Sequence, residues 1–383
     1  MNRSLKALAI AGLLATSLLT TSAPVSAASL HALHVPPAFL KFAHSSSLSH
    51  AGIVLINPET NQVLFSSGPN VERAPASVLK LVSMTTAIET LGADKVFRTG
   101  IYESSDSAKS NTFVLIGQSD PWITTDAHSA KKYHRAFSPD LITAILNAHP
   151  GLSDMTLEYQ GVYTSDITEL TKFFKNIHFT LVPLTSPSLA ESEKGAAIAT
   201  IDSPPLSEIA TFTLLWSDNT LADRLARISA HQLGLTTTTD SVQIAFEKTL
   251  GELGIDYTGL AVQDGNGLSH ATRIKVSTIA ELLLKIKERP ELQVIYNGLP
   301  LAGKTGTLKD RFIKDAPKAV GLVKAKTGWI NTTVSLAGFV DVGAQQYVFT
   351  IIQDHVKNNE FYRQQTRETI DKMLATIARP KSA

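Results

Sequence analysis

The chain has 383 residues, 43% of them hydrophobic and 18% charged, a composition that suits a folded core and excludes an intrinsically disordered protein. Its 35 basic and 34 acidic residues leave a formal charge of +1, too balanced for a nucleic-acid-binding surface. There is no cysteine, which rules out disulfides and a lipid-modified N-terminal cysteine, while the length allows two domains or one domain with a large insertion.

In chain order, residues 1–27 carry the three parts of a secretory signal. Arg3 and Lys6 are followed by an apolar run from Leu8 to Leu19 and by small residues at Val25-Ser26-Ala27, with cleavage expected before Ala28. The apolar run is short for a bilayer span, which argues for cleavage over a retained anchor. Loss of Arg3 and Lys6 leaves 33 basic against 34 acidic residues, a charge of −1. The expected location is outside the cytoplasm, as a secreted, periplasmic or wall protein, and no later segment is apolar enough to span a membrane.

Residues 28–50 are rich in Ser and His, with a short helical piece near Pro37 to Phe42. His31 and His34 are spaced like a ligand pair, but no His-Glu-x-x-His occurs and the histidines do not cluster, so no metal or other cofactor is expected. Gly52 to Asn57 and Gln62 to Ser66, around Pro58-Glu59-Thr60-Asn61, read as a hairpin. From Pro75 the period changes: Leu79, Leu81, Val82, Met84, Ala87, Ile88 and Leu91 recur at helical spacing until Gly92 stops the helix.

Residues 96–200 alternate polar, turn-rich stretches (Glu103 to Thr112, Ser186 to Lys194) with short strands such as Thr112 to Ile116. They read as an inserted subdomain between two parts of a catalytic domain, 28–95 and 201–383. Helical character returns at Leu206 to Leu233, Ala245 to Leu253 and Val276 to Lys287. Lys324 to Ile330, Val334 to Asp341 and Gln346 to Asp354 are rich in β-formers. A last amphipathic helix places Phe361, Ile370, Met373, Leu374 and Ile377 on or near one face. Strands at both ends with helices between predict an α/β fold of the α+β type: one antiparallel sheet closed by the two chain ends and flanked by helices.

Three short strings carry the chemistry, in one order: Ser77-Val78-Leu79-Lys80, Ser217-Asp218-Asn219 and Lys326-Thr327-Gly328. Ser77 and Lys80 are three apart at a helix start, so both side chains share a face. A serine hydroxyl needs a neighbouring base to become a nucleophile, and lysine can be that base if burial and a nearby cation lower its pKa. The same spacing recurs at Ser129-Ala130-Lys131-Lys132, but in a polar stretch with no apolar helical face. Ser217 could relay a proton between Lys80 and a leaving amine, and the Asn219 amide could bond a peptide backbone. Taken alone, Ser-Asp-Asn would be a turn or helix cap. Lys-Thr-Gly also occurs twice. Lys304-Thr305-Gly306 sits in a loop, whereas Lys326-Thr327-Gly328 opens a strand whose edge can pair with an extended peptide. There Lys326 and Thr327 could hold a substrate carboxylate and Gly328 could admit the peptide chain. Asp264-Gly265-Asn266-Gly267 reads as a turn.

With these residues in place the chain resembles the class C low-molecular-mass penicillin-binding proteins, a family of D-alanyl-D-alanine carboxypeptidases and endopeptidases with a penicillin-binding transpeptidase/β-lactamase-like fold. Pro75 to Leu81, Ser203 to Ser207, Asp264 to Ser269, Leu299 to Phe312 and Val323 to Val340 carry the likeness. It places Gly303 to Leu308 outside the catalytic motif, leaving Lys326 as the active lysine. The resemblance implies that Ser77 attacks the carbonyl before the last D-alanine of a peptidoglycan stem peptide, with Lys80 as base, Ser217 as relay, and Asn219 and Thr327 as substrate contacts. It also implies an oxyanion hole from the backbone N–H groups of Ser77 and Trp329, and β-lactams as covalent inhibitors. Two features depart from the family. The insertion is short, and Trp329 follows Lys-Thr-Gly where a small hydroxyl residue is more usual. A serine β-lactamase, a non-catalytic wall-binding protein and a Ser-Lys esterase are the rival readings.

Overall fold

The computed structural model describes residues 35–381, so the expected signal segment, His31 and His34 lie outside the described residues. The described chain opens with a helix, Pro37–Ala43, and a hairpin of β1 (Gly52–Asn57) and β2 (Gln62–Ser67). After β3 (Glu72–Arg73), a tight turn at Ala76–Leu79 runs straight into the helix Lys80–Leu91. The middle of the chain supplies β4 (Arg98–Ser104), β5 (Thr112–Gly117), β6 (Asp154–Gln160), β7 (His178–Pro183) and β8 (Lys194–Asp202). Helices Leu206–Trp216, Asn219–Gln232 and Thr239–Glu252 follow, then β9 (Ile274–Lys275) and the helix Val276–Glu288. The chain ends with β10 (Val323–Ile330), β11 (Thr333–Val342), β12 (Gln345–Gln353) and the helix Glu360–Ala375.

The main sheet has the order β10-β11-β12-β1-β2 and is antiparallel throughout, with Gly52 of β1 opposite Ile352 of β12. The two chain ends therefore meet in one sheet, as the strand pattern predicts. Every residue of β1 is buried, which explains why Gly52-Ile53-Val54-Leu55-Ile56 is an unbroken apolar run and not an alternating one. Side chains of a strand alternate between faces. Ile53 and Leu55 pack with Phe39, Ile370 and Met373 from the terminal helices, while Val54 and Ile56 belong to the core around Val82, Ile279 and Leu283. Each such burial contributes about 1.5–3 kcal/mol. The nucleophile helix thus lies on one face of the sheet and the C-terminal helix on the other.

The second sheet, β7-β6-β5-β4-β8, is mixed: β5, β6 and β7 run parallel, and β4 pairs antiparallel with β5 and β8. Parallel neighbours need crossovers. The helices Pro139–Ala148 and Thr164–Phe173 provide them, packing Leu141, Ile142, Ile145, Ile167 and Leu170 on Phe113 and Leu157. Sequence periodicity misses these helices, because each is only ten residues long and gives about three turns of periodic signal. The stretch read as polar turns at Ser186 to Lys194 is also largely a helix, Pro187–Glu193, capped by the Ser186 hydroxyl accepting from the Leu189 N–H at 3.1 Å. In the last helix Ile370, Met373 and Leu374 face the core as expected, but Phe361 is 67% exposed in the first turn, against the Tyr362 ring. The helix begins before its apolar face meets the sheet. Among the described residues no helix is long and apolar enough to cross a membrane.

Candidate active site

Ser77 stands in the tight turn Ala76–Leu79, where residues three apart eclipse one another. This brings Lys80 Nζ to 2.8 Å from Ser77 Oγ. The turn is entered through Ala76 at φ 50°, a left-handed value that costs a non-glycine residue energy. Several packed groups hold it there. Gly267, at φ 80°, lies so close that a Cβ would stand 2.0 Å from the Ala76 carbonyl oxygen. Ser335 Oγ on β11 donates to the Pro75 carbonyl at 2.7 Å. Upstream, the buried Arg73–Asp354 pair (2.8 Å) and a 3.1 Å bond from the Ala74 N–H to the same carboxylate tie the approach to the end of β12.

Ser217 follows the helix Leu206–Trp216 and closes it at φ 60°. Asp218 then caps the next helix, accepting from the Leu221 N–H at 2.9 Å. The capping reading of this tripeptide is therefore correct for Asp218, and the reversal it makes turns Ser217 and Asn219 into the site. Lys80 Nζ lies 2.8 Å from Asn219 Oδ1, and Lys326 Nζ donates to Ser217 Oγ at 2.9 Å and to its neighbour's carbonyl, Thr327 O, at 2.9 Å.

Lys326 reaches this point from β10, the edge strand of the main sheet. Residues 300–302 cover the start of that edge, through Ala302 N–H to Val323 O at 2.9 Å and Ala325 N–H to Pro300 O at 3.0 Å. Beyond it, Thr327, Gly328 and Trp329 border a cleft of about 330 Å3 that Ser77, Ser217 and Asn219 also line, with Leu268, Thr307, Arg311 and Arg367. Gly328 lies against the nucleophile turn: a Cβ there would fall 2.1 Å from Ser335 Oγ and 2.9 Å from Pro75 O. Its missing side chain is thus needed inside the protein as well as for any incoming chain.

The duplicated strings separate clearly. Lys304 is exposed, Thr305 Oγ1 accepts from the Leu301 N–H at 2.9 Å, and Gly306 turns at φ 52° against Leu215 O. That tripeptide is a structural turn, although the next residue, Thr307, reaches the site with its hydroxyl 2.9 Å from that of Thr327. Ser129 and Lys132 lie on the helix Ala127–Tyr133, which buries no residue.

Sequence reasoning missed the third partner of Lys80, the Asn266 main-chain carbonyl at 2.7 Å. The Asp264 turn delivers it. The Asp264 carboxylate accepts from the N–H groups of Gly267 (2.6 Å) and Ser269 (2.7 Å), folding the loop so that Asn266 O points at the lysine. A turn signature was legible there, but a carbonyl has no side-chain signal.

Both lysines are fully buried. Burial lowers the Lys80 pKa to about 7, with the Asp264 and Asp218 carboxylates opposing the fall. The expected help from a neighbouring cation runs the other way: Lys326 is pushed well below the ordinary lysine value by burial and then by the charge on Lys80. A neutral amine has two N–H donors and one lone pair. With Asn219 Oδ1 and Asn266 O taking the two donors, the lone pair of Lys80 faces the Ser77 hydroxyl. Such a pair can take the serine proton.

The model of the D-Ala-D-Ala carboxypeptidase 3 (S13) family matches residues 42–155 and 185–377. The chain belongs to this family. It is 33% identical over 166 residues to carboxypeptidase DacB of Mycolicibacterium smegmatis, covering 42% of this chain and 36% of that protein. It is 30% identical over 170 residues to a D-alanyl-D-alanine carboxypeptidase of an Actinomadura species, covering 43% and 31%. The matched stretch thus spans about a third of each curated relative. In fold it is similar to penicillin binding protein 4 of Haemophilus influenzae, with a TM-score of 0.69 and 15% identity, covering 85% of this chain and 95% of that structure. The penicillin-binding, β-lactamase-like fold implied by the resemblance is the fold of this family member.

Proposed function

We propose that the protein is a serine-type D-alanyl-D-alanine carboxypeptidase acting outside the cytoplasm on peptidoglycan stem peptides that end in D-Ala-D-Ala, and that penicillins acylate it. Endopeptidase cleavage of cross-linked peptides belongs to the same chemistry. The contact that carries this reading is Lys80 Nζ at 2.8 Å from Ser77 Oγ, with two carbonyl oxygens holding its N–H groups elsewhere. Ser77 Oγ attacks the carbonyl carbon of the penultimate D-alanine as its proton passes to Lys80. The C–N bond then breaks, and Ser217, held by Lys326, relays a proton to the departing D-alanine amine. Water attacks the resulting ester, gives its proton back through Lys80 and frees Ser77. Asn219 and Thr327 contact the peptide, and the N–H groups of Ser77 and Trp329 form the oxyanion hole.

Residues 28–95 and 201–383 form the catalytic domain in this reading, with 96–200 inserted and 1–27 removed on export. No Asp or Glu is among the residues lining the cleft, which favours a peptidase over a β-lactamase that deacylates through a carboxylate. Release of free D-alanine from an acyl-D-Ala-D-Ala peptide tests the proposal. The wild-type protein should release it and Ser77→Ala should not; a folded wild-type protein that releases none contradicts the carboxypeptidase.

A further inference from the structure

The cleft needs a positive group for any acyl donor that carries a carboxylate, and the two motif lysines do not supply it. Neither Lys80 nor Lys326 is among the cleft-lining residues, and both are fully buried, with Lys80 Nζ on Asn219 Oδ1 and Asn266 O and Lys326 Nζ on Ser217 Oγ and Thr327 O. Two arginines do line the cleft. Arg311 is neutralised by Asp371 through a buried two-bond pair, with Nε 3.2 Å from the carboxylate and the two side chains 8% and 5% exposed. Arg367 is different. It is half-buried on the helix Glu360–Ala375 and has no hydrogen-bond or ion-pair partner among the described residues.

Arg367 is nevertheless held in place. Its guanidinium lies 5.4 Å from the centre of the Trp329 ring, and Arg363, one turn earlier, lies 5.4 Å from the same ring. Arg363 is occupied, donating to Asn331 O at 2.8 Å and to Asn358 Oδ1 at 3.1 Å. Trp329 itself is the residue after Gly328, is 38% exposed, and offers an indole N–H but no hydroxyl. The cleft floor at this point is therefore an aromatic face bearing one uncommitted guanidinium. Burial and the charge on Arg311 weigh against the Arg367 cation and the Asp371, Glu368 and Asp315 carboxylates support it, yet none of those carboxylates forms an ion pair with it.

Resting on the carboxypeptidase reading, we propose that Arg367 binds the terminal carboxylate of the peptide, placing the scissile bond over Ser77, with Trp329 as the platform that positions the guanidinium. A planar guanidinium presents two parallel N–H donors to a carboxylate, a geometry that lysine cannot copy. Specificity for a free C-terminus then comes from the C-terminal helix as well as from the strand edge.

The test uses Ser77→Ala protein, in which binding is not followed by acylation, and calorimetry with an acyl-D-Ala-D-Ala peptide as free acid and as C-terminal amide. The acid should bind more tightly, by about 10- to 100-fold. Adding Arg367→Gln should abolish that preference, and Arg367→Lys should keep part of it. A preference that survives Arg367→Gln, equal binding of acid and amide, or no binding of the acid overturns the proposal. Penicillin labelling of the protein with Ser77 intact is scored separately. Labelling with an unchanged acid preference in Arg367→Gln removes Arg367 alone. Arg367-dependent acid binding without labelling removes the Ser77 nucleophile and leaves Arg367 standing.

Discussion

Lys304-Thr305-Gly306 and Lys326-Thr327-Gly328 are the same three residues in different surroundings, and the contrast shows what makes a motif chemical. At the first copy the lysine is in solvent, the threonine closes a turn on the Leu301 N–H, and the glycine supplies a left-handed φ of 52°. At the second the lysine is fully buried and bonded to Ser217, while the threonine and glycine border the cleft beside Ser77. The two Ser-x-x-Lys strings divide in the same way. Ser77 and Lys80 meet in a buried, eclipsed turn, whereas Ser129 and Lys132 sit on an exposed helix. Desolvation is the difference. A lysine in water stays charged near pH 7 and cannot accept a proton, and a buried one can.

The largest effect should come from the Ser-x-x-Lys pair. Lys80→Ala should slow acylation by benzylpenicillin by about a thousandfold or more with the fold intact by circular dichroism, while Lys132→Ala stays within about twofold of wild type. Normal acylation of folded Lys80→Ala protein would remove lysine as the base. Next, Lys326→Ala should slow acylation by about 10- to 100-fold, because Ser217 loses its donor, and Lys304→Ala should change little. The reverse ranking would mean that the exposed copy is the active one.

The third effect is one of pH. Below about 7 Lys80 carries its proton and cannot take that of Ser77, so the acylation rate should rise with pH to a plateau, with its midpoint near 7. A rate constant flat from about pH 6 to 8 would show that Lys80 does not titrate there. The smallest effect belongs to the structural copy. Thr305→Ala removes the acceptor of the Leu301 N–H and should cost about 1 kcal/mol in denaturant unfolding, with acylation unchanged. A larger loss of acylation than of stability would give that turn a chemical role.

How far the site can be read from sequence follows the same contrast. The sheet was legible because β1 and the three C-terminal strands are rich in β-formers, and the nucleophile helix because seven apolar residues keep its period up to Gly92. The helices Pro139–Ala148 and Thr164–Phe173 were not, since ten residues give too few turns for the period to stand out. Within the site, side chains in ordered motifs were legible and main-chain groups were not. Asn266 acts through its carbonyl, and no residue type encodes that. Arg367 escaped notice for another reason: it is one polar residue on an amphipathic helix, and only the fold brings it beside Trp329.

Intact-mass spectrometry of the purified protein mixed with benzylpenicillin, beside its Ser77→Ala variant, tests the central claim most directly. The account predicts a long-lived gain of one penicillin on the wild-type chain and none on the variant. An adduct that persists in Ser77→Ala, or folded wild-type protein that gains no mass and leaves the penicillin intact, would contradict it.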